Sequence, residues 1–321
     1  MRVLITGASG FAGTWLCRQC AQAGDEVVGL SRRGLVPDGC GRGVAVDMRD
    51  GEAVRAAVRA AEPELVYHLA SLTSVGRSWE SPAETLGDND AMSIGILEAL
   101  RHLAGGPPVV WVSSCEVYGS PEVLPATEDL PPRPANPYAV SKVAGEMLAE
   151  VYAEAYGLEI VLARPFSHSG PGQLPIFLLS SLASQAAEGR RTGASKLEIV
   201  TGNPDTRRDF TDVRDVVRAY RLLGHALVSG KPGAAGGVFN VSTGRSVSAG
   251  EQVALLAELL APIEIEHTID PARVRAKEVM DLRGNPARLR ALTGWEPEIP
   301  LRQTMADAIE WWEREQERTA A

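Results

Sequence analysis

Arg2-Val3-Leu4-Ile5-Thr6-Gly7-Ala8-Ser9-Gly10-Phe11-Ala12-Gly13 decides the reading of this chain. A short apolar run, Val3-Leu4-Ile5, ends in a cluster of small residues, and a helical stretch from Thr14 to Ala23 opens directly behind it. Strand, glycine turn and helix in that order make a phosphate cradle. Gly7 permits the tight turn, Gly10 lets the backbone approach a pyrophosphate, and Gly13 allows the helix to pack close against the strand. The helix N-terminus adds unpaired N–H groups and the positive end of its dipole. A glycine turn without a ligand is the plainer alternative. The legible strand before it and helix after it favour a dinucleotide.

Outward from this unit, the first half of the chain alternates. Glu26 to Leu30, Val44 to Val46, Leu65 to Leu69, Val109 to Val112 and Glu159 to Ala163 read as strands; Glu52 to Ala61, Pro82 to Arg101 and Asn136 to Tyr156 read as helices. Such alternation predicts an α/β fold, a Rossmann doubly wound parallel sheet with its crevice at the carboxyl ends of the strands. The second half is less regular. Helices are expected near Phe177 to Glu188, Asp212 to Leu227, Gly250 to Leu260 and Leu301 to Arg314, with strands at Val238 to Val241 and Glu264 to His267. The expected division is a dinucleotide-binding domain over 1–166, with returns near 209–243 and 285–305, and a smaller, interleaved substrate lobe over 167–321. Trp311 and Trp312 are expected to pack the last helix onto the core.

The 321 residues are 45% apolar and 23% charged, ordinary for a globular protein with a sizeable core. With 32 Lys and Arg against 41 Asp and Glu, the net charge of -9 argues against a nucleic-acid partner. A strand opening at Arg2 leaves no signal peptide to be expected, no apolar run approaches a membrane span, and four cysteines make no disulfide framework, so a cytoplasmic protein is expected. Cys17 and Cys20 have CxxC spacing but no second pair, which favours packing over a metal, and no metal site is expected.

Two further segments bear on the cofactor. Where an acid commonly meets the ribose hydroxyls of NAD, this chain has Leu30-Ser31-Arg32-Arg33. Hydroxyl plus guanidinium suits a 2′-phosphate, so NADP is favoured, with NAD the alternative. Asp47-Met48 ends the third strand, where a carboxylate can accept from the adenine amino group, and Leu69-Ala70-Ser71 ends the fourth, where small residues let the cofactor pass.

Tyr138 and Lys142 are four apart at the start of a helix, on one face. A free phenol titrates near 10, and a nearby cation favours its ionised form. Ser114 follows the fifth strand at a carboxyl end, placed to orient a carbonyl against Tyr138. Glu116 lies two residues on. It is either a general acid or base or a loop carboxylate bonded to backbone or ribose.

These residues resemble a known family, the extended short-chain dehydrogenases/reductases of the nucleotide-sugar epimerase/dehydratase group. The resemblance spans nearly the whole chain. It rests on Thr6 to Gly13, His68 to Ser71, Ser74-Val75, Ser113 to Gly119, Tyr138 to Lys142 and Arg207 to Asp215. Arg164 to Gln173, Gly202-Asn203 and Thr293 to Pro300 are most similar to reductases of GDP-4-keto-6-deoxy-D-mannose. The resemblance implies a Rossmann lobe, a nucleotide-diphosphate-sugar substrate, and a homodimer packed through the Pro82–Arg101 and Asn136–Tyr156 helices. It implies that Phe11, Ala12 and Pro165 join the cofactor contacts. Substrate would meet Ser74, Ser114, Cys115, Glu116, Ser167 and His168, with Arg208 and Arg275 gripping the diphosphate. Ser167 departs from a usual Asn, Met92 from a usual Gly, and Ala276 from a usual Pro.

The expected reaction is reduction of a C4 ketone, with Tyr138 as proton donor, Ser114 polarising the carbonyl, and Lys142 holding the ribose and lowering the phenol's pKa. The rivals are a 4,6- or 5,6-dehydratase or a 4-epimerase using Glu116, and, more remotely, a non-catalytic dinucleotide sensor.

Overall fold

The computed structural model describes residues 1–103, 105–274 and 278–320. Its first half is built from β1 (Arg2–Thr6), α1 (Phe11–Gln22), β2 (Glu26–Ser31), β3 (Arg42–Ala45), α2 (Gly51–Ala61), β4 (Leu65–His68), α3 (Val75–Glu80), α4 (Pro82–Arg101), β5 (Val109–Val112), α5 (Pro137–Tyr156) and β6 (Ile160–Pro165). Helix ends follow local chemistry. Asp50 caps α2 by accepting from Glu52 and Ala53 N–H, and Gly157, in a left-handed conformation, closes α5.

The second half adds β7 (Ser167–Ser169), α6 (Leu178–Arg191), β8 (Lys196–Thr201), β9 (Arg207–Arg208), β10 (Phe210–Asp212), α7 (Val213–Val228), β11 (Val238–Val241), β12 (Val247–Ser248), α8 (Ala249–Leu260), β13 (Glu264–Ile269), β14 (Asp281–Leu282), α9 (Ala287–Thr293) and α10 (Leu301–Ala320). The sequence reading anticipates neither α3, α9 nor the short strands β7 to β10, β12 and β14. Pieces of two to seven residues carry too little periodicity to be seen.

Seven strands form one parallel sheet in the order β11-β6-β5-β4-β1-β2-β3. The chain runs outward from β1 to β3, then returns to β4 and runs the other way. The switch between β1 and β4 leaves a crevice at their carboxyl ends, as the doubly wound fold requires. Register carries Thr6 opposite both Leu30 and His68, so Gly7, Ser31 and Leu69 emerge side by side.

One face of the sheet is covered by α1 and α7, with Leu16, Val216 and Tyr220 in its core; the other by α2 and α4, with Val54, Ile96 and Leu97. Cys17 and Cys20 lie in the first of these cores, and burial pushes both thiols up to about 12. A separate core joins α6, α8 and α10 through Leu182, Leu256, Met305 and Ile309, with Trp312 against it. The Trp312 indole N–H donates to Ser180 Oγ at 3.1 Å, and Trp311 packs edge-on against Trp312. Chain from beyond the midpoint returns to the main sheet: β11 joins its edge, and Leu289 and Leu292 of α9 pack into the first core.

Candidate active site

A cleft of about 1760 Å³ opens at the carboxyl ends of the sheet and extends toward the α6–α8 core. Its wall gathers residues far apart in sequence. From the glycine turn come Gly7, Gly10, Phe11, Ala12 and Gly13; from the ends of β2, β3 and β4 come Ser31, Arg32, Asp47, Met48, Leu69, Ala70 and Ser71. Ser74, Ser114, Cys115, Glu116, Tyr138, Lys142, Pro165, Ser167, His168 and Arg208 complete the expected set. Arg33 is exposed and lies off this wall, and Arg275 falls outside the described residues.

The turn is shaped for a pyrophosphate. Gly7 has φ +71°, and a Cβ on Gly13 would lie 2.2 Å from the Gly7 carbonyl oxygen. No side chain caps the first turn of α1, so its N–H groups face the cleft without a side-chain partner. Thr6 fastens the next loop to this turn. Its hydroxyl accepts from the Leu69 and Ala70 N–H groups, each at 3.1 Å, and lies 2.9 Å from His68 Nδ1. The hydroxyl's own proton therefore goes to Nδ1, which needs a neutral imidazole. Burial, with Lys142 nearby, lowers the His68 pKa to about 3. These features fit a dinucleotide.

At the ends of β2 and β3 the structure redistributes the expected roles. The Ser31 hydroxyl is engaged by the Leu35 backbone, accepting its N–H at 3.0 Å. Arg32 is exposed on the cleft wall with no ion pair among the described residues, while Arg33, also exposed, is not part of that wall. Asp47 is held by Arg49, with Nε 2.9 Å from Oδ1 and Nη2 2.6 Å from Oδ2, which lowers its carboxyl to about 2. Arg49 also reaches Asp88 at 3.2 Å and lines the cleft. The sequence reading overlooks it, because a guanidinium two residues past a strand looks like any surface charge.

Around Tyr138 the geometry is tight. The phenol is buried, which pushes its pKa up; a hydrogen bond with Ser114 pulls it down, and Glu116 and Cys115 push it up further. Lys142 stands one turn further along the same helix. The ammonium lies 6.0 Å from the ring centre and donates to the Val112 carbonyl at 2.9 Å. Burial lowers the Lys142 pKa to about 8 against an upward pull from Glu146. The Ser114 hydroxyl accepts the Glu116 N–H at 3.2 Å, so its single proton is directed at the phenol oxygen or, with a ligand in the cleft, at a ligand carbonyl. The neighbouring Ser113 Oγ is buried with no partner among the described residues.

On the opposite wall, His168 stacks on Phe11 with ring centres 6.0 Å apart and planes 3° apart. Its Nδ1 donates to the Phe166 carbonyl at 3.0 Å, and burial lowers its pKa, leaving Nε2 as an acceptor. Burial drives the Cys115 thiol well above its ordinary range, so it is no thiolate nucleophile. Ser74 caps α3 through the Arg77 N–H. Arg208 Nη1 is anchored on the Arg207 and Val279 carbonyls at 2.8 and 2.7 Å.

Two asparagines escape the sequence reading as site residues. The Asn89 amide brackets Leu72, accepting its N–H at 2.7 Å and donating to its carbonyl at 3.2 Å, and also donates to Ser141 Oγ. Asn136, expected as the first helical residue, is instead the N-cap of α5. Asn followed by Pro at a helix start is the signal that marks such a cap. Among the described residues no cluster of three or more His, Cys, Asp or Glu is placed to hold a metal, and no helix is long and apolar enough to cross a membrane.

Residues 3–242 match the NAD dependent epimerase/dehydratase family. The chain is 40% identical to a GDP-6-deoxy-D-mannose reductase of Pseudomonas aeruginosa over 255 residues, 78% of this chain and 81% of the relative. It is 32% identical to a UDP-glucose 4-epimerase of Mycolicibacterium smegmatis, over 97% of this chain and 98% of that one. The solved structure of Pseudomonas aeruginosa RMD complexed with NADPH superimposes with a TM-score of 0.83 at 34% identity, covering 98% of this chain and 100% of that one. TunA, an NAD dependent NDP-hexosamine 5,6-dehydratase involved in tunicamycin biosynthesis, matches with a TM-score of 0.83 at 30% identity, over 98% of each chain. Together with the glycine cradle and the Tyr138–Ser114 corner, these matches place the chain in the NAD-dependent epimerase/dehydratase family, whose relatives are NAD(P)-dependent enzymes of nucleotide sugars.

Proposed function

We propose that this protein reduces the C4 ketone of a 4-keto-6-deoxy nucleotide sugar, with GDP-4-keto-6-deoxy-D-mannose the preferred substrate and NADPH the preferred cofactor. The observation that carries the reading is the convergence of Ser114, Tyr138 and the Gly7–Gly13 turn on one cleft. The 40% identity to a reductase supports the choice of reaction, and the unpaired Arg32 on the cleft wall supports a 2′-phosphate.

NADPH, when bound, supplies the hydride. The Ser114 hydroxyl donates to the ketone oxygen, drawing electron density toward it. Tyr138, kept protonated by burial, gives its proton to that oxygen as the alcohol forms. Lys142, with a pKa near 8, is suited to return a proton to the phenol. Arg208 and Arg275 grip the diphosphate, and Ser74, Cys115, Ser167 and His168 line the sugar's path. In this reading residues 1–166, with 209–243 and 285–305, serve the dinucleotide, and most of 167–321 serves the sugar. The exposed Ile94 of α4 and Val140, Met147, Val151 and Tyr156 of α5 form the face through which a homodimer would pack.

Glu116 favours a second reading. Its carboxylate lies in the same cleft as Ser114 and Tyr138, where a 4,6- or 5,6-dehydratase or a 4-epimerase would use an acid or base. Incubation with NADPH and a panel of GDP-, dTDP- and UDP-linked hexoses and their 4-keto-6-deoxy forms, read by mass, decides between them. Steady NADPH consumption with a gain of two hydrogens is expected. Loss of water would make the protein a dehydratase, and an isomer of unchanged mass an epimerase.

A further inference from the structure

The Asn136 side chain makes two bonds in opposite directions. Its Oδ1 accepts the Ala139 N–H at 2.8 Å, which caps α5. Its Nδ2 donates to Glu116 Oε2 at 2.9 Å. The amide orientation is determined by these partners, because a backbone N–H needs an acceptor and a carboxylate oxygen needs a donor. Asn136 is itself buried, so water does not replace either bond cheaply.

The two bonded elements carry the whole acid–base set. Tyr138 sits two residues beyond the cap, in the first turn of α5. Glu116 sits in the 3₁₀ turn Cys115–Tyr118, which begins at Ser114. That turn is pinned at its far end as well, since the Tyr118 hydroxyl accepts from Arg164 Nη1 at 3.0 Å and donates to Asn240 Oδ1 at 2.7 Å. Between the two elements, one planar amide registers the carboxylate of Glu116 against the phenol of Tyr138.

We infer that Asn136 is a positioning residue: it acts through Glu116, holding that carboxylate toward the cleft at a set distance from Tyr138. The inference rests on the proposed reading that Ser114, Glu116 and Tyr138 face the reacting sugar: in a dehydratase or epimerase Glu116 is the acid or base, and in a reductase its charge helps keep the Tyr138 phenol protonated. A carboxylate freed from this bond would swing about its side-chain torsions, and a displacement of an ångström at a reacting group is worth about 10²-fold in rate.

The test uses the full-length protein and whichever sugar of the panel above the wild type converts. Asn136→Ser keeps a good cap but is too short to cap the helix and reach Glu116 together. Asn136→Asp keeps the cap and sets a carboxylate against Glu116. Expected for Asn136→Ser is a fall in kcat of about 10- to 100-fold, with KM, dinucleotide Kd and Tm close to wild type; Asn136→Asp should lose more. In a Glu116→Ala background, Asn136→Ser should change kcat by less than about two-fold, since its partner is gone. Equal losses in both backgrounds, or a loss tracking Tm, would make Asn136 a cap and nothing more. An unchanged kcat in the wild-type background would also overturn the inference. The product's mass reports independently whether the reductase reading survives.

Discussion

The Tyr138 phenol and the Lys142 ammonium stand one turn apart on α5, with the nitrogen 6.0 Å from the ring centre. Burial acts on the two in opposite senses. It pushes the phenol's pKa up and lowers that of the ammonium to about 8. A phenol that keeps its proton stands beside an ammonium that gives one up more readily than usual, which is the order a proton donor to a nascent alcohol needs. Tyr138→Phe removes the acid and leaves the ring. Turnover should fall by about 10²-fold or more, while NADPH Kd by fluorescence titration stays within about two-fold. Retained turnover would remove Tyr138 from its role.

Lys142 also links stability to pH. Folded, it loses its proton near 8; unfolded, near its ordinary 10.5. Between these values the unfolded chain binds more protons, so the cost of burying the ammonium is full below about pH 8 and fades as pH rises toward 10.5. Lys142→Met lacks this cost at every pH. Its stability relative to wild type should therefore drop by about 1–2 kcal/mol between pH 7 and pH 10, the full shift being discounted for the solvent the side chain still meets. Urea unfolding at the two pH values measures it, and a difference that does not move with pH would contradict the assignment.

How far the sequence leads depends on the length scale of each feature. The glycine turn, the seven-strand sheet and the Tyr138–Lys142 pair are legible because each is a local pattern, set by alternation or by a spacing of four. The small strands β7, β9, β10 and β14 are not legible, because two or three residues take their conformation from partners elsewhere in the chain. The cofactor-side arginines show the same limit. Arg32 and Arg33 are equivalent as letters, yet only the first lies on the cleft wall, and Arg49 enters it through Asp47 and Asp88. Asn136 was legible as a helix boundary. Its bond to Glu116, twenty residues back, is set by the tertiary fold and leaves no local pattern.

That difference between neighbouring arginines is testable by binding alone. If Arg32 meets a 2′-phosphate, Arg32→Ala should weaken NADPH by about ten-fold, in keeping with one charge-assisted hydrogen bond at an exposed site. NADH binding should stay nearly the same. Arg33→Ala should alter neither. Calorimetric titration of both dinucleotides against the two variants measures the four affinities. Equal losses for Arg32→Ala and Arg33→Ala would return both residues to the cofactor site.

The buried pair beneath the site supplies the last prediction. Arg164 on β6 grips Glu146 on α5 with two bonds, Nε to Oε1 at 2.9 Å and Nη2 to Oε2 at 2.6 Å, and both side chains are nearly inaccessible. Glu146 is one turn beyond Lys142, so the pair ties the catalytic helix to the sheet. Removing one partner strands a charge in the interior, and Arg164→Met should destabilise by about 3–5 kcal/mol. Removing both as Glu146→Met/Arg164→Met leaves no stranded charge, and much of that loss should be regained. The Tyr118 hydroxyl loses its Arg164 donor in both variants but keeps its bond to Asn240, so it does not separate them. Guanidinium unfolding of the two variants gives the comparison. A double variant as unstable as Arg164→Met would mean that attraction within the pair, rather than the penalty of an orphaned charge, holds α5 against the sheet.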